Sequence, residues 1–291
     1  MIAGQLRLYD QIHDMLNDDE VAGGLYLLAG ILNSLQLDQT SWPASRQAFR
    51  AHRLHEYLLN DPYTAHAFVK PRGYPGDAAL IDLIYDRRLP SGTSAAGARL
   101  FEITTDFPVA RAVRRRREIA RRMLTEACER GARVCVLACG HLREADALAG
   151  ADLANVTAVD QDELSLAVVA ERHGERINLV RRNVIGFLRA AARAGDSFDL
   201  VYTLGLTDYL DDRTMALLLS LAARCLAPEG RMFLANFRPQ HLASGWIDAC
   251  MDWHLVCRDE VDLARHAEDA GLRASTFIDE SAAIAYCEMR G

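Results

Sequence analysis

The chain has 291 residues, half of them hydrophobic and a quarter charged, with a net charge of −7. This length suits one large or two modest domains with real cores, and the composition excludes disordered and fibrous classes. A net-acidic chain without a sustained basic surface also argues against nonspecific nucleic-acid binding.

The charge is uneven: residues 1–130 carry 17 basic and 16 acidic side chains, and residues 131–291 carry 16 and 24. Lys70 is the only lysine among 33 basic residues, so a phosphate loop ending in Gly-Lys-Ser/Thr is absent. The seven cysteines include no C-x-x-C pair, and several lie in apolar runs, which points to a reducing compartment and no structural zinc. No basic region followed by a long apolar core opens the chain, and the apolar stretch from Gly24 to Leu35 is too short to span a bilayer. The expectation is a cytoplasmic, soluble protein with no metal, no membrane partner and no nucleic-acid partner; its oligomeric state is left open.

The first 125 residues show helical spacing of apolar positions over Leu6–Leu16, Val21–Leu37, Ser45–Leu59 and Ala78–Tyr85. Between the last two lies the octet Lys70-Pro-Arg-Gly-Tyr-Pro-Gly-Asp77, whose two prolines and two glycines predict a loop flanked by helices. Apolar residues at 109, 113, 120 and 123 define a helical stripe that carries Arg116, while Arg115, Arg117, Arg121 and Arg122 mostly fall on a solvated face. An inward Arg116 must pair with a carboxylate, either a ligand's or a structural Asp/Glu.

From Arg133 the pattern changes to strands alternating with helices. Short apolar runs at 134–138, 156–159, 177–180, 198–202 and 231–235 suit buried parallel strands, separated by helices over 144–149, 163–172, 184–194 and 213–226. Two more strands, near 274–278 and 283–287, are joined by the turn Asp279-Glu280-Ser281 and read as an antiparallel hairpin. The fold class is α/β: a doubly wound, mostly parallel sheet with a terminal hairpin, behind a helical N-terminal domain of residues 1–125.

Ligands of doubly wound sheets lie beyond the carboxyl ends of the strands. The first strand ends in Ala138-Cys139-Gly140, with a single glycine instead of G-x-G-x-x-G, which disfavours a dinucleotide and tolerates a smaller nucleoside. The second ends in Asp160-Gln161, at the offset where an acid accepts ribose hydroxyls. Asn183-Val184 follows the third strand, where the amide of Asn183 is placed to read an adenine edge. Thr203, Gly205, Asp208 and Tyr209 follow the fourth. Ordinary strand–helix turns with Asp as a helix cap are the alternative at any one of these positions, and for Asp208 that means capping the helix near Asp211. His241 and His254 are candidate general bases, with a structural role as the commoner alternative.

With these motifs, residues 126–291 resemble class I S-adenosylmethionine-dependent methyltransferases of Rossmann-like fold. The octet, Ile81-Asp-Leu-Ile-Tyr85, Ala112-Val-Arg-Arg-Arg116, Gly205-Leu-Thr-Asp-Tyr209, Asn236-Phe-Arg-Pro239 and Asp252-Trp-His-Leu255 extend the resemblance to a narrower group with a helical N-terminal domain. That group includes enzymes that esterify a 3-hydroxy fatty acid into a signal, and relatives that cyclise S-adenosylmethionine to azetidine-2-carboxylate for natural products. Thr207 and Ala249-Cys250-Met251 depart from its pattern near the expected acceptor site.

The resemblance implies S-adenosylmethionine as cofactor and a small-molecule acceptor. Ala138, Cys139, Gly140, Asp160, Gln161, Asn183, Val184, Thr203 and Gly205 are then cofactor-binding residues. Asp208, Tyr209 and Tyr74 are the catalytic candidates. The octet is either a rigid turn or a lid over the methionine end, with Tyr74 near the sulfonium, Arg72 on a carboxylate and Asp77 on the amino group. Arg116 is then a candidate for the cofactor's α-carboxylate.

Overall fold

The computed structural model describes residues 2–18, 20–148 and 150–291. The chain divides into two compact units, Met1–Arg114 with Gln240–Leu255 and Arg115–Pro239 with Val256–Gly291. The division therefore falls at 114/115, within the long helix α8 (Pro108–Glu129), rather than near 125. A segment of the second half, residues 240–255, belongs to the first unit.

The first unit is helical. Tyr9, Ile12 and Leu16 of α1 (Ile2–Asn17) and Leu25, Leu28 and Leu32 of α2 (Val21–Gln36) are fully buried at the spacing that marked these segments as helices. The single helix expected over 45–59 is two, α3 (Trp42–Arg50) and α4 (Arg53–Leu58). His52 breaks it: its backbone is extended and its Nδ1 accepts the Leu54 N–H at 3.1 Å, capping α4. The spacing also left unread α5 (Pro62–Val69), capped by Asp61, and α7 (Ala95–Thr104), capped by Ser94. The octet is the predicted loop between α5 and α6 (Ala78–Asp86). Lys70 ends α5 in the left-handed region, and the fully buried Asp77 caps α6 through the Leu80 N–H at 2.9 Å while receiving His66 Nε2 at 2.8 Å.

Charge and close approach hold the segment 240–255 in this unit. Asp248 accepts Trp42 Nε1 at 2.6 Å, Arg46 Nη1 at 2.7 Å and His254 Nδ1 at 2.8 Å. Asp252 accepts Lys70 Nζ, Arg50 Nη2 at 2.8 Å and His254 Nε2 at 3.1 Å. Burial works against the Asp252 charge, yet Lys70 and Arg50 hold its carboxyl at about 2. His254 is thus a bridge between two carboxylates. His241 is buried, and burial pushes its imidazole down to about 4.

In the second unit seven strands form one sheet in the order β3-β2-β1-β4-β5-β7-β6. β1 (Val134–Leu137), β2 (Val156–Asp160), β3 (Asn178–Arg181), β4 (Phe198–Thr203) and β5 (Leu226–Phe237) run parallel. β7 (Ile284–Arg290) is antiparallel to both β5 and β6 (Arg273–Ile278), which gives the expected hairpin. Every residue of β1 is buried, as a central parallel strand requires. Cys135, Leu137, Val201 and Leu234 on one face pack with Leu188 of α10 (Val184–Ala194) and Leu218 of α11 (Asp212–Ala223). α9 (Glu163–His173), α13 (Glu260–Asp269) and the part of α8 from Arg115 onward are further helices of this unit. The helix expected over 144–149 is instead one 3₁₀ turn, Arg143–Ala145; Ala149 lies outside the described residues.

α12 (Ser244–Met251) approaches α2 so closely that a Cβ on Gly245 would lie 2.4 Å from the Leu32 carbonyl carbon, and Asn33 Oδ1 accepts the Gly245 N–H at 2.7 Å. Gly245→Ala therefore lowers stability by about 1–3 kcal/mol in chemical denaturation, the usual cost of overpacking. A variant as stable as the wild type would contradict this contact.

Candidate active site

The strand order reverses at β1, which lies between β2 and β4 and so marks the switch point of the sheet. The loop leaving β1 is held in an unusual backbone. Ala138, Gly140 and Leu142 all have positive φ, at 53°, 54° and 46°. Two of these are non-glycine residues in the left-handed region, a strain that persists only where the surroundings enforce it. Part of that enforcement is Asp160. Its Oδ2 accepts the Gly140 N–H at 2.9 Å and its Oδ1 accepts the Asp162 N–H at 2.9 Å, while Cys139 N–H donates to the Val159 carbonyl at 3.1 Å. Each carboxylate oxygen retains a lone pair for a further donor, so the pair Gly140/Asp160 suits vicinal hydroxyls.

Asn183 caps α10, its Oδ1 accepting the Ile185 and Gly186 N–H groups, and its Nδ2 donates to Gln161 Oε1 at 3.4 Å. The amide expected at the adenine edge is thus anchored through its oxygen. Val184 is buried in the core of the second unit. Thr203 is buried, and its Oγ1 has no hydrogen-bond partner.

Arg116 of α8 is 5% exposed, and its Nε and Nη1 are buried without a hydrogen-bond partner. Its guanidinium faces Gly205, where a Cβ would stand 3.7 Å from Nη2, and its Cζ lies 5.8 Å from the centre of the Phe237 ring. Among the described residues no carboxylate forms a salt bridge with it, while Glu144 and Asp208 act on it from farther away. A buried cation with free donors stands beside the end of β4, and such a group is satisfied by a carboxylate.

Two buried acids stand within electrostatic range of it. Glu144 accepts the Tyr202 hydroxyl at 2.8 Å, and burial pushes its carboxyl up against the pull of Tyr202 and Arg116. Burial likewise pushes Asp208 up to about 6, opposed by Arg116, the Phe237 N–H and Arg258. Asp208 does not cap the next helix, a role filled by Asp211. Its Oδ1 accepts the Phe237 N–H at 2.7 Å and its carbonyl accepts the Val256 N–H at 2.8 Å, which joins the end of β5 to the return of the chain. Tyr209 beside it is partly exposed.

The structure thus brings Arg116, Gly205 and Asp208 together in the second unit, and places Gly140 with Asp160 in the same strand-end loops. Arg72, Tyr74 and Asp77 belong to the first unit. Sequence reading missed Glu144, Tyr202 and Phe237. The signal was faint: an acid four residues after Gly140, and a tyrosine inside an apolar run. No helix among the described residues is long and apolar enough to cross a membrane, and no group of His, Cys, Asp or Glu there is arranged to hold a metal.

Residues 134–230 match the methyltransferase domain family. The solved structure of a Bordetella parapertussis protein, described as a possible exported protein, superposes with a TM-score of 0.62 at 18% identity, covering 99% of this chain and 95% of that one. Two more distant structures are magnesium protoporphyrin IX methyltransferase from Synechocystis with bound SAH and the CcbJ methyltransferase from Streptomyces caelestis. The first has a TM-score of 0.47 at 16% identity, over 63% of this chain and 87% of that one. The second has 0.45 at 16%, over 60% and 89%. Both are too remote to carry an argument. A search of curated proteins finds no match. The domain match and the strand order show that the second unit has the fold of class I S-adenosylmethionine-dependent methyltransferases.

A methyl group on Gly205 would meet the guanidinium at ordinary contact distance, yet it would fill the approach to that group. Gly205→Ala should leave thermal unfolding unchanged and weaken S-adenosylhomocysteine about 10- to 100-fold in titration calorimetry, the worth of a charge-assisted hydrogen bond. Unchanged affinity would remove Arg116 from the cofactor site.

Proposed function

We propose that the protein is a methyltransferase that uses S-adenosylmethionine to modify a small molecule, with a carboxylic acid as the acceptor class. The observation that carries the reading is the β1 loop clasped to Asp160 inside a stretch that matches the methyltransferase domain family. The cofactor is S-adenosylmethionine. Asp160 and the Gly140 loop hold its ribose, Asn183 and Gln161 border its base, and Arg116 takes its α-carboxylate.

S-adenosylmethionine supplies an electrophilic methyl group on a sulfonium, so that in-line attack by an acceptor carboxylate yields a methyl ester and S-adenosylhomocysteine. The protein's contribution is alignment and exclusion of water, which supply most of the acceleration in such displacements. A carboxylate needs no general base at neutral pH. This suits a site whose nearest acids, Glu144 and Asp208, are buried and pushed up. The seven free thiols suit a reducing, cytoplasmic setting, and the acid-methylating chemistry suits secondary or signal metabolism.

The test is product analysis by mass spectrometry. The protein is incubated with S-adenosylmethionine alone, and then with a panel of 3-hydroxy and other carboxylic acids. The expected outcome is S-adenosylhomocysteine and a methyl ester only when an acid is present. Methylthioadenosine and azetidine-2-carboxylate formed without any acceptor would replace this reading with cyclisation of the cofactor. Failure to bind S-adenosylmethionine would leave a non-catalytic binding module.

A further inference from the structure

We propose that Asp208 is the proton acceptor of the carboxylate site: a ligand carboxylate seated on Arg116 draws one proton from solvent onto Asp208, so binding and proton uptake are coupled. The proposal rests on the cofactor reading above.

The geometry is a buried cluster that, among the described residues, holds two acids and the cation Arg116 with Nε and Nη1 unfilled. Asp208 is 1% exposed. Its Oδ1 accepts the N–H of Phe237, whose ring centre lies 5.8 Å from Arg116 Cζ. Arg116 also stands against Gly205, three residues before Asp208. Arg258 and Cys257, from the stretch before α13, act on Asp208 as well. Arg258 is already spent: it donates to the Thr207 and Leu210 carbonyls and to Asp212 at 2.7 Å. Arg116, with Nε and Nη1 unfilled, is therefore the cation that keeps Asp208 ionised against its burial.

A carboxylate on those donors neutralises Arg116, and the buried Asp208 charge then loses its principal support. Glu144 and Tyr286 also face Arg116. Glu144 depends on Arg116 less, because it keeps the Tyr202 hydroxyl at 2.8 Å whatever Arg116 binds. The protonated Asp208 keeps the Phe237 N–H on Oδ1 and carries its proton on Oδ2, so the fold needs no rearrangement. The sign follows directly: Asp208 sits at about 6 before binding and rises on binding, so protons are taken up near neutral pH and affinity falls as pH rises.

The experiment is titration calorimetry of the full-length protein with S-adenosylhomocysteine at pH 7, in buffers of different ionisation enthalpy. The expected uptake is about half to one proton, and the affinity should fall by up to about tenfold per pH unit above neutrality. Methylthioadenosine, which keeps the nucleoside and lacks the carboxylate, should bind without uptake. Asp208→Asn, which retains an oxygen for the Phe237 N–H, should bind S-adenosylhomocysteine without uptake and with a flat pH dependence. Binding with no proton uptake in the wild type would overturn the proposal and leave the cofactor reading intact. Equal uptake with methylthioadenosine, or uptake that survives in Asp208→Asn, would also overturn it. No binding of S-adenosylhomocysteine at any pH would sink both. If Asp208→Asn does not fold, the two ligands on the native protein decide.

Discussion

A full positive charge that is 5% exposed, with two of its donors unfilled, is the constraint around which the second unit is arranged. Removing a guanidinium from water costs several kcal/mol after relaxation, on the order of what a whole domain has to spare. The protein meets part of that cost with the ring of Phe237 and with two acids at a distance, Glu144 and Asp208. Among the described residues no carboxylate sits directly on Arg116. Each of those partners is in turn tied into the sheet: Glu144 to Tyr202 of β4, Asp208 to the backbone of β5. The charge is thus held ready at the carboxyl ends of the strands, where a doubly wound sheet receives its ligand.

The other half of the site depends on backbone geometry. The β1 loop takes three residues into the left-handed region, only one of them glycine, and Asp160 pins the turn through Gly140. The same carboxylate fixes the loop and keeps lone pairs free for further donors.

Much of this was legible in the residues. Parallel central strands are buried on both faces, so they read as apolar runs, and β1, β2 and β4 were found by that signal alone. Asp160 and Gly205 follow because strand ends fix where a ligand must lie. The inward direction of Arg116 came from the stripe at 109, 113, 120 and 123. What stayed hidden depends on contacts distant in sequence. Nothing local in 240–255 shows that it joins the helical unit, because Asp248 and Asp252 find their cations at positions 46, 50 and 70. The break at His52 is invisible to apolar spacing because a histidine ring takes the part of a capping carboxylate. Glu144 was read as the start of a helix; its meaning appears only once Tyr202 stands opposite.

The central claim is that Arg116 waits for a carboxylate carried by the ligand. A crystal structure with S-adenosylhomocysteine bound tests it most directly. The account predicts the ligand's α-carboxylate within hydrogen-bond distance of Arg116 Nε and Nη1, and its ribose hydroxyls on Asp160. A bound nucleoside whose carboxylate lies elsewhere, with both Arg116 donors still unfilled, would contradict it.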